Sequence, residues 1–249
     1  MFDILSEILS QSWIRHSLLA CGILFLIRKY AGNFIQQVFF AKIYNAALGT
    51  YHQTCYALKK QHLESMKNHK SADPELRKKG GLRILEIGPG PGYNFEFYPP
   101  NSELTVVEVN PFFEEQFFKK QVDHRHIKME RFVVGFAEDM KSVPDNSVDI
   151  VVSTMVLCSV RSVEGALKEI HRILVPENII TGKHIPFAIL HNLRHDVCCQ
   201  LNRKSDEIIK ANKAGFSNID QQLFRTPQKG GLHAICIFHS AHVKGIATK

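Results

Sequence analysis

The sequence predicts a doubly wound α/β sheet, in which parallel strands alternate with helices that cross over the sheet. Two observations predict it. Beyond Gly81, apolar runs of strand length alternate with segments of helical periodicity, and a glycine-rich turn directly follows the first run. The 249 residues are 45% hydrophobic and 22% charged, an ordinary globular composition that suffices for one domain with an appendage. Disordered, collagen-like and disulfide-stapled small proteins are therefore excluded.

The expected elements follow the chain in order. Strands are predicted at 82–88, 103–109, 131–137 and 148–154, and a helix at 163–174. Near the C-terminus, residues 232–243 are expected to form a further strand, paired in an antiparallel hairpin with 218–226. Together these elements predict a sheet domain over residues 81–249.

The N-terminal residues carry most of the net charge of +7, because residues 1–80 hold eleven Lys and Arg against five Asp and Glu. Residues 17–27 (SLLACGILFLI) form an apolar run with basic residues on both sides, and residues 31–44 form a Phe-rich amphipathic stretch. Eleven apolar residues are too few to span a bilayer, which requires about 20. We therefore expect residues 1–45 to lie on or in one leaflet of a membrane, with their cations near anionic head groups. A pair of helices that caps the core of the domain is the alternative.

The distribution of basic residues and cysteines predicts the compartment. The positive-inside tendency places the basic, soluble part in the cytosol. The six cysteines have no CxxC spacing and two are adjacent, which favours reduced thiols over a disulfide framework. No small-x-small cleavage site follows the apolar run, which argues against a cleaved signal peptide.

Residues 46–80 are polar and predict a helical linker or cap. Pro74 and the pair Gly80 and Gly81 are expected to break the helical pattern and to mark the domain boundary. The lysines of this stretch have no interleaved aromatic residues, so the run indicates a solvated face and no nucleic-acid partner.

The turn after the first strand carries three glycines spaced two apart, Gly88, Gly90 and Gly92, two residues after Glu86. Glycines permit close approach of a ligand at the point where the strand order reverses. A dinucleotide-binding fingerprint would need a glycine where Tyr93 stands, and the loop has no lysine for a P-loop. An acidic residue followed by GxGxG resembles instead the class I methyltransferases, which bind S-adenosylmethionine.

Further candidate ligand contacts lie at the ends of the other strands. Glu108 ends the second strand 22 residues after Glu86, where a carboxylate can accept hydrogen bonds from both ribose hydroxyls; an exposed charge at a strand end is the alternative. The segment 135–140 (GFAEDM) occupies the place where such enzymes surround the adenine. Phe136 stands at the usual acidic position and is expected to stack or pack against the base. Ser153 and Thr154 end the fourth strand and are expected to contact the methionine part of the cofactor or the substrate.

Three segments carry a narrower resemblance: EIGPGPGYNFEFYPP, ERFVVGFAEDM and SVDIVVSTMVLCSVRSVEGALKEIHRIL. They resemble the membrane-anchored thiol S-methyltransferases of the endoplasmic reticulum and lipid droplets, almost without gaps over about 82–174. The resemblance implies a Rossmann-like class I methyltransferase sheet, in a soluble domain that uses S-adenosylmethionine to methylate small thiols. It also implies the cofactor contacts, which fall on the glycine loop Gly88, Gly90 and Gly92, on Glu108 as ribose carboxylate, and on Ala137 and Glu138 at the adenine.

The resemblance breaks after Leu174. Family members continue with an Arg-Pro-Gly-Gly turn and a fifth strand that ends in an acidic-His pair, whereas this chain lacks both. We expect a fifth strand reduced to 178–185 (NIITGKHI) and a smaller or rearranged substrate lid. Two function classes therefore remain: a methyltransferase for small, lipophilic thiols, and a non-catalytic membrane or lipid-droplet protein that retains the cofactor-binding fold.

No catalytic base stands out in the sequence, and methyl transfer to a thiol does not demand one. The methyl group of a sulfonium is already activated, so the enzyme mainly aligns a thiolate and excludes water. Cys158 is expected to be a core or pocket-wall residue. His184, His191 and His195 lack the carboxylates and spacing of a zinc site and are expected to be solvated or capping side chains.

Overall fold

The computed structural model describes residues 12–44, 53, 56–57, 59–154, 156–157, 159–176, 187–192, 205–211, 213–225 and 241–249. The chain divides into two compact units, Met1–Ala47 and Leu48–Lys249.

The first unit contains one long helix, α1 (Ser12–Phe39), which continues into a π-helical turn at Phe40–Tyr44. The sequence indicated two separate stretches, but the residues between them, Arg28 and Lys29, are good helix formers and no proline interrupts the run, so the helix is continuous. Apolar side chains on α1 are exposed, with Leu24 and Phe25 both at 64% of their full surface. In the part of the chain that the structure describes, no helix combines the length and apolar content that crossing a membrane requires.

The second unit begins with helical residues 59–63, which run into a 3₁₀ turn at Glu64–Asn68 and are followed by the short helix α2 (Pro74–Lys79). The helical pattern is interrupted at residues 69–73, and Pro74 begins the next helix. The reason is that Asp73 caps the helix, accepting hydrogen bonds from the backbone N–H groups of Glu75 and Leu76 at 2.8 and 3.0 Å, and proline is favoured at the first helical position.

The remaining elements alternate as predicted. The strands are β1 (Arg83–Ile87), β2 (Glu103–Glu108), β3 (Lys128–Val134), β4 (Ile150–Thr154), β5 (Phe187–Asn192), β6 (Asn218–Arg225) and β7 (Ala241–Thr248). The helices are α3 (Glu114–Gln121), α4 (Val163–Ile173) and α5 (Ser205–Lys210), with 3₁₀ turns at Phe95–Phe97, Pro111–Phe113 and Val122–His124.

The strands form a seven-stranded sheet in the order β3-β2-β1-β4-β5-β7-β6. Strands β1 to β5 pair in parallel, and β7 pairs antiparallel with both β5 and β6. The predicted doubly wound sheet is therefore confirmed. Because the chain adds strands first on one side of β1 and then on the other, the order reverses between β1 and β4, and a crevice for a ligand is expected at the carboxyl ends of these strands.

Three elements differ from their predicted bounds. β3 begins at Lys128, three residues early, because it is an edge strand whose polar first residues look like loop in the sequence. The predicted fifth strand, 178–185, lies outside the described residues, and the strand that pairs with β4 is β5. The C-terminal hairpin is present, but β7 continues to Thr248, five residues past its predicted end, and residues 232–240 lie outside the described residues.

Two hydrophobic clusters cover the two faces of the sheet. Alternate strand residues point to opposite faces, so Leu85 and Ile87 contribute to one cluster with the apolar stripe of α4. Ile84 contributes to the other cluster, together with Phe95 and Tyr98 from the segment after the glycine loop. Glu86 has the parity of Ile84, and its side chain therefore enters the second cluster.

Candidate functional site

The glycine loop turns sharply at the carboxyl end of β1. Gly88, Gly90 and Gly92 have φ of 60°, 53° and 83°, a left-handed backbone conformation that residues other than glycine rarely adopt. A Cβ on Gly88 would lie 2.4 Å from Cγ2 of Val156, whereas a Cβ on Gly90 would meet no atom within 4 Å. The turn therefore needs glycine for its conformation, and the space beside Gly90 is open.

Glu108 ends β2 and is 5% exposed. Its Oε2 accepts a hydrogen bond from the backbone N–H of Gly90 at 3.0 Å, and its Oε1 accepts one from the N–H of Asn110 at 2.9 Å. Burial raises the pKa of this carboxyl, and the two N–H groups oppose the rise. A carboxylate has about four acceptor sites, so these backbone hydrogen bonds leave acceptor capacity on Glu108. Glu108 thus ties the glycine loop to β2 and still has acceptors for a ligand hydroxyl.

Glu86 lies near the end of β1 and is 1% exposed. Burial raises the pKa of its carboxyl to about 7, while Tyr98, Asn94 and the Lys59 ammonium lower it and Glu108 raises it further. The side-chain Nδ2 of Asn94 donates to Oε1 of Glu86 at 2.6 Å. The two carboxylates therefore lie in one electrostatic environment, on neighbouring strand ends.

Ser153 and Thr154 end β4, beside Glu86. The Asn94 Nδ2 also donates to the hydroxyl of Thr154 at 3.1 Å. The Ser153 hydroxyl is fully buried and has no hydrogen-bond partner among the described residues. The structure thus brings the predicted residues of β1, β2 and β4 together at one edge of the sheet.

The predicted adenine segment follows β3. Ala137 is buried, and Phe136 is 37% exposed with the Arg161 guanidinium 3.6 Å from the centre of its ring. One oxygen of Glu138 accepts a hydrogen bond from the backbone N–H of Ser162 at 2.8 Å, at the residue that caps α4. Glu138 therefore supports the start of α4, and one of its two oxygens is already engaged there.

The sequence did not predict three residues that act on the Glu86 carboxyl: Asn94, Tyr98 and Lys59. All three are at least 96% buried. The sequence does hold a signal for Asn94, since a polar residue directly after the glycine loop precedes buried aromatic residues. Lys59 has no such signal, because a lone lysine in a polar helical segment is indistinguishable from a solvated one.

Four residues singled out in the sequence cannot be placed in the site. Cys158, His184 and His195 lie outside the described residues, and for His191 the structure describes only its backbone in β5. Within the described ranges, no three His, Cys, Asp or Glu side chains are grouped as metal ligands.

The arrangement favours a ligand with particular chemistry. Open space at Gly90 admits a ligand close to the backbone, free acceptors on Glu108 suit hydroxyl donors, and two neighbouring carboxylates suit positive charge. The glycine loop carries no lysine for phosphate groups. A nucleoside with a cationic substituent fits this set of groups.

Comparison with known sequences identifies related proteins. Residues 85–181 match the family model of the methyltransferase domain. The chain is 45% identical over 101 residues to the human protein thiol S-methyltransferase TMT1B, a match that covers 41% of each chain. It is 48% identical over 97 residues to human thiol S-methyltransferase TMT1A, covering 39% of this chain and 40% of that one. The matches thus span about two fifths of these relatives' length, and they confirm the predicted resemblance to thiol S-methyltransferases.

Comparison with solved structures extends the similarity in fold. Phosphoethanolamine N-methyltransferase 2 from Haemonchus contortus, in complex with S-adenosyl-L-methionine, aligns with a TM-score of 0.55 at 13% identity, covering 86% of this chain and 60% of that one. A SAM-dependent methyltransferase from Thermotoga maritima aligns with a TM-score of 0.51 at 18% identity, covering 84% and 98%. The chain therefore has the Rossmann-like α/β fold of S-adenosylmethionine-dependent methyltransferases, and over its middle part its sequence is similar to that of thiol S-methyltransferases.

Proposed function

We propose that this protein is an S-adenosylmethionine-dependent methyltransferase that methylates small, lipophilic thiols. One observation carries the proposal: the glycine loop after β1 is joined by a hydrogen bond to Glu108 at the end of β2, in a chain that over 101 residues is 45% identical to a protein named thiol S-methyltransferase. The fold supports the cofactor, and the names of the relatives support the acceptor.

The residues at the crevice fit S-adenosylmethionine. Its ribose offers two hydroxyl donors to the remaining acceptors of Glu108. The open space at Gly90 lets the cofactor lie close to the backbone of the glycine loop. Its sulfonium and ammonium groups suit a site with two buried carboxylates. Phe136 presents an exposed ring at the predicted adenine position. When bound, the cofactor supplies a methyl group on a positively charged sulfur.

The role of the protein itself is to orient the thiolate toward the methyl group and to exclude water. A thiol with a pKa of about 8.5 is a few per cent thiolate at neutral pH, so the protein need not hold a base beside it. The side chain of Val156 lies beside Gly88 of the glycine loop and packs against the apolar cluster, which favours an apolar acceptor over a hydrated one. Close alignment of thiolate and methyl group then supplies much of the rate enhancement.

We propose further that α1 attaches the protein to the cytosolic face of the endoplasmic reticulum membrane or to a lipid droplet. The support is the set of exposed apolar side chains on α1, together with basic residues that flank the apolar run. Burying such side chains in the acyl region stabilises attachment, and the cations add attraction to anionic head groups. Fractionation of cells that express the full chain tests this: recovery in the membrane or droplet fraction is expected, and recovery in the soluble fraction contradicts it.

Two measurements on the purified full chain test the proposed activity. Calorimetric titration with S-adenosylmethionine and its demethylated product is expected to show binding of both. Transfer of a labelled methyl group is then followed to a panel of alkyl thiols, catechols and amines, and thiols are expected to be the preferred acceptors. Binding without transfer to any acceptor supports the non-catalytic alternative, to which the departure after Leu174 points. Absence of binding contradicts the proposed activity.

A further inference from the structure

Asn94 holds two site residues with one amide group. Its Nδ2 donates to Oε1 of Glu86 at 2.6 Å and to the hydroxyl of Thr154 at 3.1 Å. An amide nitrogen has two hydrogens, and both are used here. Rotating the amide by half a turn would place Oδ1 against the Glu86 carboxyl, where two acceptors repel when that group is ionised. When Glu86 is ionised, this orientation of the Asn94 amide is therefore the favoured one.

This orientation leaves an acceptor in need of a donor. The Asn94 Oδ1 is buried and has no hydrogen-bond partner among the described residues, and the hydroxyl oxygen of Ser153 is in the same condition. Leaving such an atom unpaired is costly. The orphaned atoms cluster around the carboxyl ends of β1 and β4, next to the crevice. A bound ligand that carries N–H donors would satisfy them.

The charges of the cluster select the kind of donor. Glu86 is buried among these atoms, Glu108 adds a second negative charge, and the Lys59 ammonium partly offsets them. A neutral donor would leave the Glu86 carboxylate without a full counter-charge, whereas an ammonium group supplies both charge and three N–H donors.

Building on the proposed cofactor, we propose that Asn94 is a cofactor-binding and positioning residue: it orients Glu86 and Thr154, and its Oδ1 accepts a hydrogen bond from the ammonium group of the methionine part. The side chains of Glu86 and Ser153 complete the set of acceptors around this group. Asn94 therefore contacts the amino-acid end of the cofactor, whereas Glu108 contacts its nucleoside end.

The test compares two ligands that differ only in this end of the molecule. S-adenosylhomocysteine carries the amino-acid part, and methylthioadenosine retains the nucleoside and sulfur but lacks it. Calorimetric titration of the full chain is expected to show that Asn94→Leu weakens S-adenosylhomocysteine about 10- to 100-fold, the range for hydrogen bonds to charged groups, and leaves methylthioadenosine within about twofold. The matched control is Asn101→Gly, which removes the Asn101 hydrogen bond to the Lys79 carbonyl and tolerates the positive φ there; it is expected to change neither affinity.

A second variant covers the case in which Asn94→Leu does not fold, which thermal unfolding reveals. Thr154→Val preserves shape and removes one of the two partners of the amide, and a smaller loss of the same ligand-selective kind is expected. Equal weakening of both ligands, or weakening of neither, overturns the assignment of Asn94 while the proposed function stands. A wild-type chain that binds neither ligand overturns the proposed function and this inference with it.

Discussion

Glu86 is a carboxyl group that folding removes almost completely from water. Its pKa of about 7 in the folded chain exceeds its ordinary value of 4.5, and burial is the main cause. The folded state therefore binds the proton more tightly than the unfolded state. The stabilisation from this group is complete below about pH 4.5 and is lost as the pH rises through 7.

Replacing Glu86 with glutamine should remove this dependence. We expect the free energy of unfolding of the wild-type chain to fall by about 2 to 3 kcal/mol more than that of Glu86→Gln between pH 5 and pH 8. Urea unfolding of both proteins at the two pH values measures the difference, and losses common to both pH values cancel. Glu115→Gln, which alters an exposed carboxylate, should keep the wild-type dependence. Parallel curves for wild type and Glu86→Gln would show that the proton is not on Glu86.

Glu108 holds the glycine loop, and in the proposed site it also binds the cofactor. Glu108→Ala should weaken the binding of S-adenosylmethionine by about 2 to 3 kcal/mol, because it removes a charged acceptor and leaves the N–H of Gly90 without its partner. Calorimetry checks this against Glu103→Ala, which alters the opposite end of the same strand. Unchanged affinity in Glu108→Ala would remove Glu108 from the cofactor site.

At the residue scale, the sequence predicts the position of a side chain at the sheet edge where a motif fixes the backbone, while its contact with a ligand stays a prediction. Glu86, the three glycines and Glu108 were predicted because each lies at a strand end or in a turn that a local pattern marks. Asn94 was missed, since its amide meets Thr154 from sixty residues away, and no local pattern encodes that contact. Glu138 was predicted as a ligand contact, but its use at the start of α4 depends on tertiary packing.

At the scale of elements, a substitution in the glycine loop has two effects that can be measured separately. One is the cost in stability of a side chain at positive φ, and the other is the loss of space for the ligand. Gly90→Ala should cost about 1 to 2 kcal/mol of stability, the penalty for a side chain at positive φ. Its methyl group would also occupy the open space beside the loop, so binding of S-adenosylmethionine should weaken roughly 10- to 100-fold. Calorimetry and urea unfolding measure the two effects.

Gly80→Ala provides the matched control for this loop. Gly80 also has positive φ and an open surrounding, but it ends α2 on the other side of β1. We expect the same loss of stability and an unchanged affinity. If both variants bind the cofactor equally well, the space beside Gly90 is not the entry for the ligand.

Helix α1 should bind anionic vesicles through its exposed apolar side chains. Leu24→Glu should lower the partition coefficient of the full chain about tenfold or more, since burying a leucine contributes about 1.5 to 3 kcal/mol. Co-sedimentation with vesicles that contain phosphatidylserine measures it. Gln36→Glu adds the same charge to the same helix and should have a smaller effect; equal effects would assign the binding to charge alone.

Elements were predictable where periodicity and burial agree. The helix α4 ends within one residue of its prediction, because its apolar stripe packs on the sheet. β3 was shifted because it lies at the sheet edge, where its residues are mostly exposed or half-buried and alternation is weak. The strand β5 was not predicted at 187–192, because the sequence between Leu174 and this strand contains another apolar run and pairing with β4 is a tertiary contact; the predicted strand at 178–185 lies outside the described residues.

At the scale of the whole molecule, the two ends of the strands have different tasks. At the amino ends, Asp149 is 98% buried and accepts hydrogen bonds from the Ser71 hydroxyl and from both the backbone and the guanidinium of Arg83. This network holds β1 beside β4 and fastens the linker to the sheet. The carboxyl ends of the strands instead carry polar groups whose hydrogen bonds are incomplete, and such groups can bind a ligand.

The proposed preference for lipophilic thiols depends on the space at the carboxyl ends of the strands, and a series of alkyl thiols tests it. A pocket lined by apolar side chains should gain about 0.8 kcal/mol for each methylene that it buries, so KM should fall with chain length until the space over the sheet is filled. The rate should rise with pH toward the pKa of the thiol, about 8.5, since the thiolate attacks. Steady-state kinetics with ethyl to octyl thiols between pH 6.5 and 9 measure both trends. Transfer to catechols or amines at rates equal to those for thiols, or strict dependence on a divalent metal, would overturn the thiol assignment and leave the cofactor assignment in place.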